Sequence, residues 1–257
     1  MDTKLDQNLE QLAEKVESKI KPLSDVEDYI NLMIYSRAGI GKTVWASKAP
    51  KPLLVNYESG TMSLNEENLE PEVLERVDVL FPDNFKDLNS IATYLRDYDH
   101  GYKTVILDSI TEIQNASLDT ILRDPNRKSS LDKDNPTLND YGKCTNQMRK
   151  LLRFFRDLPM HVIFTALESK DKDELSGAIS VSPAMTPKLR ENIEGYVDII
   201  GYMFVSKDQD NNPTRKILWQ PDGKYMAKDR SRKLGTGFGN IDKGFEEVHQ
   251  IICGRND

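Results

Sequence analysis

Ser36-Arg37-Ala38-Gly39-Ile40-Gly41-Lys42-Thr43, directly after the apolar run Leu32-Met33-Ile34-Tyr35, decides the fold of this chain. It reads as a phosphate-binding loop of the pattern G-x-x-x-x-G-K-[ST], with Ser36 where the first glycine belongs. Gly39 and Gly41 let the backbone wrap tightly and turn its N–H groups toward phosphate oxygens. Lys42 can reach the β- and γ-phosphates, and Thr43 can place its hydroxyl on Mg²⁺. Residues 44–47 open a helix whose N-terminus adds anion-binding N–H groups. The expected nucleotide cradle is therefore Ser36, Arg37, Ala38, Gly39, Ile40, Gly41, Lys42, Thr43 and Val44. A strand before and a helix after are the context this motif requires; the alternative is a chance Gly-Lys-Thr turn.

Working outward, apolar runs alternate with helical patterns, the α/β signature. Strands are expected at residues 30–35, 52–57, 77–81 and 104–109, with a helix over 85–98 that turns Leu88, Ile91 and Leu95 inward. Residues 104–108, Thr-Val-Ile-Leu-Asp, are apolar without alternation, as in a strand buried on both faces. A polar loop over 123–139 leads to a helix over 141–158, a strand over 161–166 and a second polar loop over 169–182. Residues 196–206 and 214–220, with a turn between them, read as an antiparallel hairpin. Ahead of all this, Leu5, Leu9, Leu12, Val16 and Ile20 recur in steps of three and four, one apolar stripe on a charged helix over residues 3–21 that Pro22 ends. Such a stripe packs on its own domain or on a neighbouring subunit.

The chain has 257 residues, enough for one large domain and a buried sheet. Its net charge of −7 argues against binding nucleic acid through a broad basic face, although a few basic loops lining an oligomeric channel remain compatible with it. Cys144 and Cys253 are far apart and fit no metal spacing; His100, His161 and His249 read as isolated. Free cysteines fit a reducing, cytoplasmic compartment. The polar first residues and the lack of a long apolar run argue against a signal peptide or membrane span.

Two carboxylates bear on the loop. Asp108 ends an apolar strand, where a P-loop ATPase holds its magnesium shell; beside such a loop it is the metal-side carboxylate, with Thr43, rather than only a helix cap. Glu58 ends the second strand near the mouth of a phosphate cleft in a parallel sheet. It can orient the water that attacks the γ-phosphate, or be an exposed loop glutamate; spacing alone leaves both open.

Residues 34–43, Lys51-Pro52-Leu53-Leu54-Val55-Asn56-Tyr57-Glu58-Ser59-Gly60 and Thr104-Val105-Ile106-Leu107-Asp108-Ser109 together resemble the RecA-like core of phage-encoded ATPases associated with single-strand annealing and recombination. The similarity spans roughly residues 29–239, most clearly the first half. It implies a RecA-like P-loop NTPase core: a mainly parallel central sheet flanked by helices, a C-terminal antiparallel hairpin and an N-terminal helix. Residues 1–22 are then an amphipathic helix serving oligomerisation, and residues 23–257 the ATPase domain. The resemblance makes Lys42 and Glu58 catalytic, ATP and Mg²⁺ the cofactors, and the chain itself, single-stranded DNA and a single-strand-binding protein the partners, with no membrane, in a bacterial host cytoplasm. It places Thr165 near the γ-phosphate sensor, where relatives carry Asn, Gln or His, and the two polar loops where relatives bind DNA. Basic residues completing a neighbouring subunit's site are sought among Lys188, Arg190, Lys228 and Arg230. The expected activity is slow ATP hydrolysis in recombination or annealing. Loading or remodelling a protein partner, or gating an interaction without turnover, are the alternatives.

Overall fold

The computed structural model describes residues 3–22, 25, 29–58, 60–127, 135–235, 238–240 and 244–254; for residues 3–9 and 238–240 it describes the backbone only. In chain order the elements are α1 (Thr3–Glu17), β1 (Asn31–Ser36), α2 (Lys42–Ser47), β2 (Pro52–Asn56), α3 (Pro71–Arg76), β3 (Asp78–Leu80), α4 (Asp87–Asp97), β4 (Thr104–Asp108) and α5 (Ile110–Leu122). They continue with α6 (Leu138–Arg156), β5 (His161–Lys172), β6 (Ile179–Pro183), α7 (Pro187–Tyr196), β7 (Ile199–Lys207), β8 (Pro213–Leu218), β9 (Lys228–Asp229), β10 (Phe238–Asn240) and α8 (Phe245–Cys253).

Apolar runs without alternation become central strands, because a strand covered on both faces has no solvent side. Among the described residues the sheet has ten strands, ordered β10-β8-β7-β1-β5-β4-β2-β3, with β6 beside β5 and β9 beside β7. From β3 through β2, β4, β5 and β1 to β7 every neighbouring pair is parallel. The β7–β8 hairpin and β10 add antiparallel pairs at one side. β1 and β4 are one strand apart, with β5 between them. The ends of β1, β2, β4 and β5 thus open on one edge, the carboxyl edge where open α/β sheets hold their ligands.

Helices α4, α5, α6 and α7 cover one face of the sheet, contributing Leu88, Ile113, Leu152 and Leu189 to the larger core. α2 and α8 cover the other, where Trp45 packs with Phe245 and with Trp219 beyond β8. The Trp45 and Trp219 ring centroids are 6.1 Å apart. Gly244 lets α8 approach α2: a Cβ there would lie 2.5 Å from the Lys48 Cβ and 2.7 Å from the Trp45 carbonyl oxygen.

Several sequence expectations change. The polar stretch 169–182 is largely strand: β5 runs on to Lys172 and pairs antiparallel with β6 around a turn at Asp173–Gly177. Backbone pairing satisfies this stretch despite its polarity, since an exposed hairpin needs no apolar face. Residues 187–196 form α7, with Pro187 at its first turn, so the strand expected from residue 196 starts at Ile199 as β7. Helices α3, α5 and α8 were not read from the sequence. His161 and His249 are not isolated; their rings are 4.8 Å apart. Within the polar loop expected over 123–139, whose charges are mixed, Lys128, Asp132, Lys133 and Asp134 lie outside the described residues, as do Ser59 and the side chains of Leu5 and Leu9. The flanks of residues 128–134 are joined by an ion pair, Arg127 to Asp140 at 2.9 Å, both side chains buried.

Candidate nucleotide site

β1 delivers the chain to the loop, and two glycines carry the turn: Gly39 and Gly41 adopt φ of 75° and 108°. These are values that side chains with a Cβ rarely accept. α2 starts at Lys42, so the loop amides and the first N–H groups of the helix converge on a cleft of about 520 Å³. Ala38, Gly39, Gly41, Lys42, Thr43 and Val44 line it, facing Glu58 and Gly60 across the opening. Ile40 packs instead against the core under α2. Arg37 turns away from the cleft to pair with Glu168 at 3.2 Å.

Ser36 is fully buried beneath the loop. Its Oγ donates to the Arg37 carbonyl at 2.7 Å and accepts from the Lys42 ammonium at 3.3 Å. The ammonium also donates to the Arg37 carbonyl at 3.2 Å. Burial lowers the Lys42 pKa, against the opposing pull of Asp108, Glu58 and Glu168.

Asp108 ends β4 at 2% exposure, behind Thr43. The Thr43 hydroxyl donates to its Oδ2 at 2.7 Å, and the Thr165 hydroxyl, from β5, donates to its Oδ1. Burial pushes the Asp108 pKa up; the Thr165 and Thr43 hydroxyls and Lys42 oppose this, while Glu58 adds to it. Thr165, fully buried, meets Asp108 and does not line the cleft.

Glu58 follows β2, placed by the register that sets Asn56 beside Asp108. Its backbone N–H donates to Asn56 Oδ1 at 3.0 Å, and its carboxylate accepts from the Ser109 hydroxyl at 2.5 Å. Ser109 caps α5, its Oγ accepting from the Glu112 N–H at 3.5 Å. The spacing Ser109-x-x-Glu112 is a helix-start signal that could have identified this serine in the sequence.

The oxygen donors fit a hard cation. Thr43 and Asp108 offer a hydroxyl and a carboxylate in contact beside the phosphate loop, a set that Mg²⁺ completes with water and substrate phosphates. Among the described residues no three His, Cys, Asp or Glu side chains gather to hold a metal by themselves.

The later basic residues stand elsewhere. Lys228 and Arg230 lie where β9 pairs with the first residues of β7, at the edge of the sheet opposite the loop. The Lys228 ammonium donates to the carbonyls of Glu194 and Val197, and Arg230 pairs with Asp198 at 2.8 Å. Arg190 pairs with Asp171 of β5, and Lys188 borders an apolar groove beside Tyr141 and Met185. The sequence reading overlooked Glu168, which gathers Arg37, Lys170 and the Tyr202 hydroxyl. Those hydrogen bonds outweigh its burial and leave its pKa low. It also overlooked Arg215 of β8, which lines the cleft.

No curated protein matches the chain. Among solved structures it is similar to a KaiC-like protein from the hyperthermophilic archaeon Pyrococcus horikoshii OT3, at 14% identity and a TM-score of 0.43, over 74% of this chain and 78% of that one. It is also similar to the RadB recombinase, at 15% identity and a TM-score of 0.39, over 78% of this chain and 90% of that one. Over residues 28–231, the span that carries the loop, Glu58, Asp108 and Thr165 alike, the sequence matches the model described as AAA domain, and the chain belongs to that family.

Proposed function

We propose that this chain is a Mg²⁺-dependent ATPase acting in DNA recombination or single-strand annealing, as a homo-oligomer on single-stranded DNA. The observation that carries the ATPase reading is the convergence of Lys42, the Thr43–Asp108 pair and Glu58 on one loop-lined cleft. The loop amides and Lys42 bind the phosphates; the ammonium already sits among oxygen acceptors that a phosphate can replace. Thr43 and Asp108 hold the magnesium side, and bound Mg²⁺ supplies charge neutralisation between the phosphates. Glu58 orients the attacking water and accepts its proton as the new P–O bond forms and the bond to the leaving diphosphate breaks. Thr165 acts through Asp108. A basic side chain of a neighbouring subunit, sought among Lys188, Arg190, Lys228 and Arg230, completes the site.

The DNA reading rests on the β5–β6 hairpin, which projects Lys170 and Lys172 beyond the carboxyl edge with its outer residues exposed. The net charge of −7 favours a second reading, in which the same ATPase works on a protein partner. Titrating labelled single strands with and without ATP at two salt concentrations separates them. ATP-dependent binding that weakens with salt supports DNA; no binding at low salt, where phosphate contacts are strongest, removes it. For the site, Lys42→Ala should abolish nucleotide binding. Retained binding in that variant would overturn the loop assignment.

A further inference from the structure

The cleft holds a cation that the proposed reaction leaves unused. In the β7–β8 register Arg215 stands opposite Val205 and Ile217 opposite Met203. Alternation therefore puts Arg215, Ile217 and Trp219 on one face. That face is the one α2 covers: Ile217 and Trp219 share the core of Trp45. The row runs along α2 toward its N-terminus and ends at the phosphate loop. There Arg215 Cδ and Nε each lie 3.9 Å from the point where a Cβ on Gly41 would stand, and Arg215 lines the cleft with Gly39, Lys42 and Thr43.

Its basic neighbours are engaged: Arg37 with Glu168, Lys48 with Glu70, and Lys42 with Ser36 and the Arg37 carbonyl. The Arg215 guanidinium makes no hydrogen bond or ion pair among the described residues. A guanidinium beside an ammonium and a ring of amides is repelled by each of them, and an anion between them reverses the sign of every term. Two carboxylates line the cleft, Glu58 and Glu67; neither pairs with Arg215, and Glu58 accepts from Ser109.

We infer that Arg215 is a phosphate ligand supplied in cis, its guanidinium binding the polyphosphate of the nucleotide held by its own chain's loop. The inference deepens the ATPase reading and rests on it. The planar fork of an arginine matches phosphate oxygens bidentately, which an ammonium cannot do. The ligand class it selects is a nucleoside di- or triphosphate over a monophosphate, because Arg215 stands beside Gly41 and Lys42, where the loop takes the phosphates beyond the first. Ile217 and Trp219 anchor the strand beneath it, so the side chain is presented from a rigid row.

The test is calorimetric titration of the full chain with ATP and AMP, with the melting temperature recorded for each variant. Arg215→Ala should weaken ATP about tenfold or more, the scale of a lost charge-assisted hydrogen bond, while AMP changes by less than about twofold and the melting temperature holds. Arg215→Lys should recover only part of the loss. Unchanged ATP affinity in Arg215→Ala, or an equal loss for ATP and AMP, overturns the inference. A wild-type chain that binds no nucleotide overturns the ATPase reading and this inference together. Wild-type binding, abolished by Lys42→Ala but untouched by Arg215→Ala, defeats this inference alone. Mixing the Lys42→Ala and Arg215→Ala chains should restore no turnover; recovery would put Arg215 in a neighbour's site and overturn the cis assignment.

Discussion

Ser36 occupies a glycine position and does something a glycine cannot: it gives Lys42 a hydroxyl to rest on. Pattern matching reads it as an irregularity, because the partner of a turn serine is set by the curvature of the loop and not by spacing. Ser36→Gly should keep ATP affinity within about tenfold, since the Arg37 carbonyl still accepts from the ammonium at 3.2 Å. Isothermal titration checks this, and complete loss would assign the Ser36 hydroxyl to the ligand. Glu58 was visible as a carboxylate at the end of a strand, but its partner Ser109 was not, lying 51 residues away. Glu58→Gln should lower the single-turnover hydrolysis rate by roughly 10²–10⁴-fold with ATP affinity nearly unchanged, the range for losing a general base. A rate equal to wild type would remove Glu58 from the chemistry.

Among the elements, those with a strong apolar run were readable and those shaped by their neighbours were not. β1, β2 and β4 each hold an apolar run that a polar residue closes (Ser36, Asn56 and Asp108), so their existence and their carboxyl ends followed from composition. The β5–β6 hairpin is polar and α8 is short, and both owe their form to pairing and docking partners far away in sequence. The docking of α8 has two tests. Gly244 sits at φ 66°, ψ −153°, a region open essentially to glycine, and packs on Lys48 and the Trp45 carbonyl. Gly244→Ala should cost about 1–3 kcal/mol in urea unfolding. His161, against Phe245 and His249 of α8, accepts the Ile30 N–H on Nδ1 at 3.0 Å. Burial and then His249 hold its pKa down at about 4. The folded value lies below the unfolded one of about 6.5, so its contribution is intact above that pH and lost as pH falls toward 4. The loss across this window is about 3 kcal/mol, at roughly 1.4 kcal/mol per pH unit. His161→Asn keeps an acceptor without titrating, so its urea midpoint should fall less with acid than the wild type's. Parallel curves would place the acid sensitivity elsewhere.

For the molecule as a whole, the sheet edge gathers the site while α1 stands apart. The helix expected over residues 3–21 stops at Glu17, four residues before Lys21, so Leu12 and Val16 of α1 (57% and 51% exposed) carry the apolar row in water, while Ile20 (71% exposed) lies beyond the helix. If α1 joins subunits, deleting residues 1–22 should convert an oligomer to a monomer in light scattering while the melting temperature moves by no more than about 2–4 °C, the shift that 1 kcal/mol produces in a domain of this size. An unchanged number of subunits would end that role. Among the described residues no helix is long and apolar enough to cross a membrane. The packing of α2 has one further consequence. The chain's two tryptophans are Trp45 and Trp219, their rings tilted 49° to each other, and Trp45 lines the cleft with its indole N–H buried and without a partner among the described residues. Tryptophan emission, excited on the red edge where tyrosine does not absorb, therefore comes only from beside α2, and Trp219→Phe would leave Trp45 as the one indole, whose colour and lifetime register the filling and emptying of the cleft in real time, with no label attached.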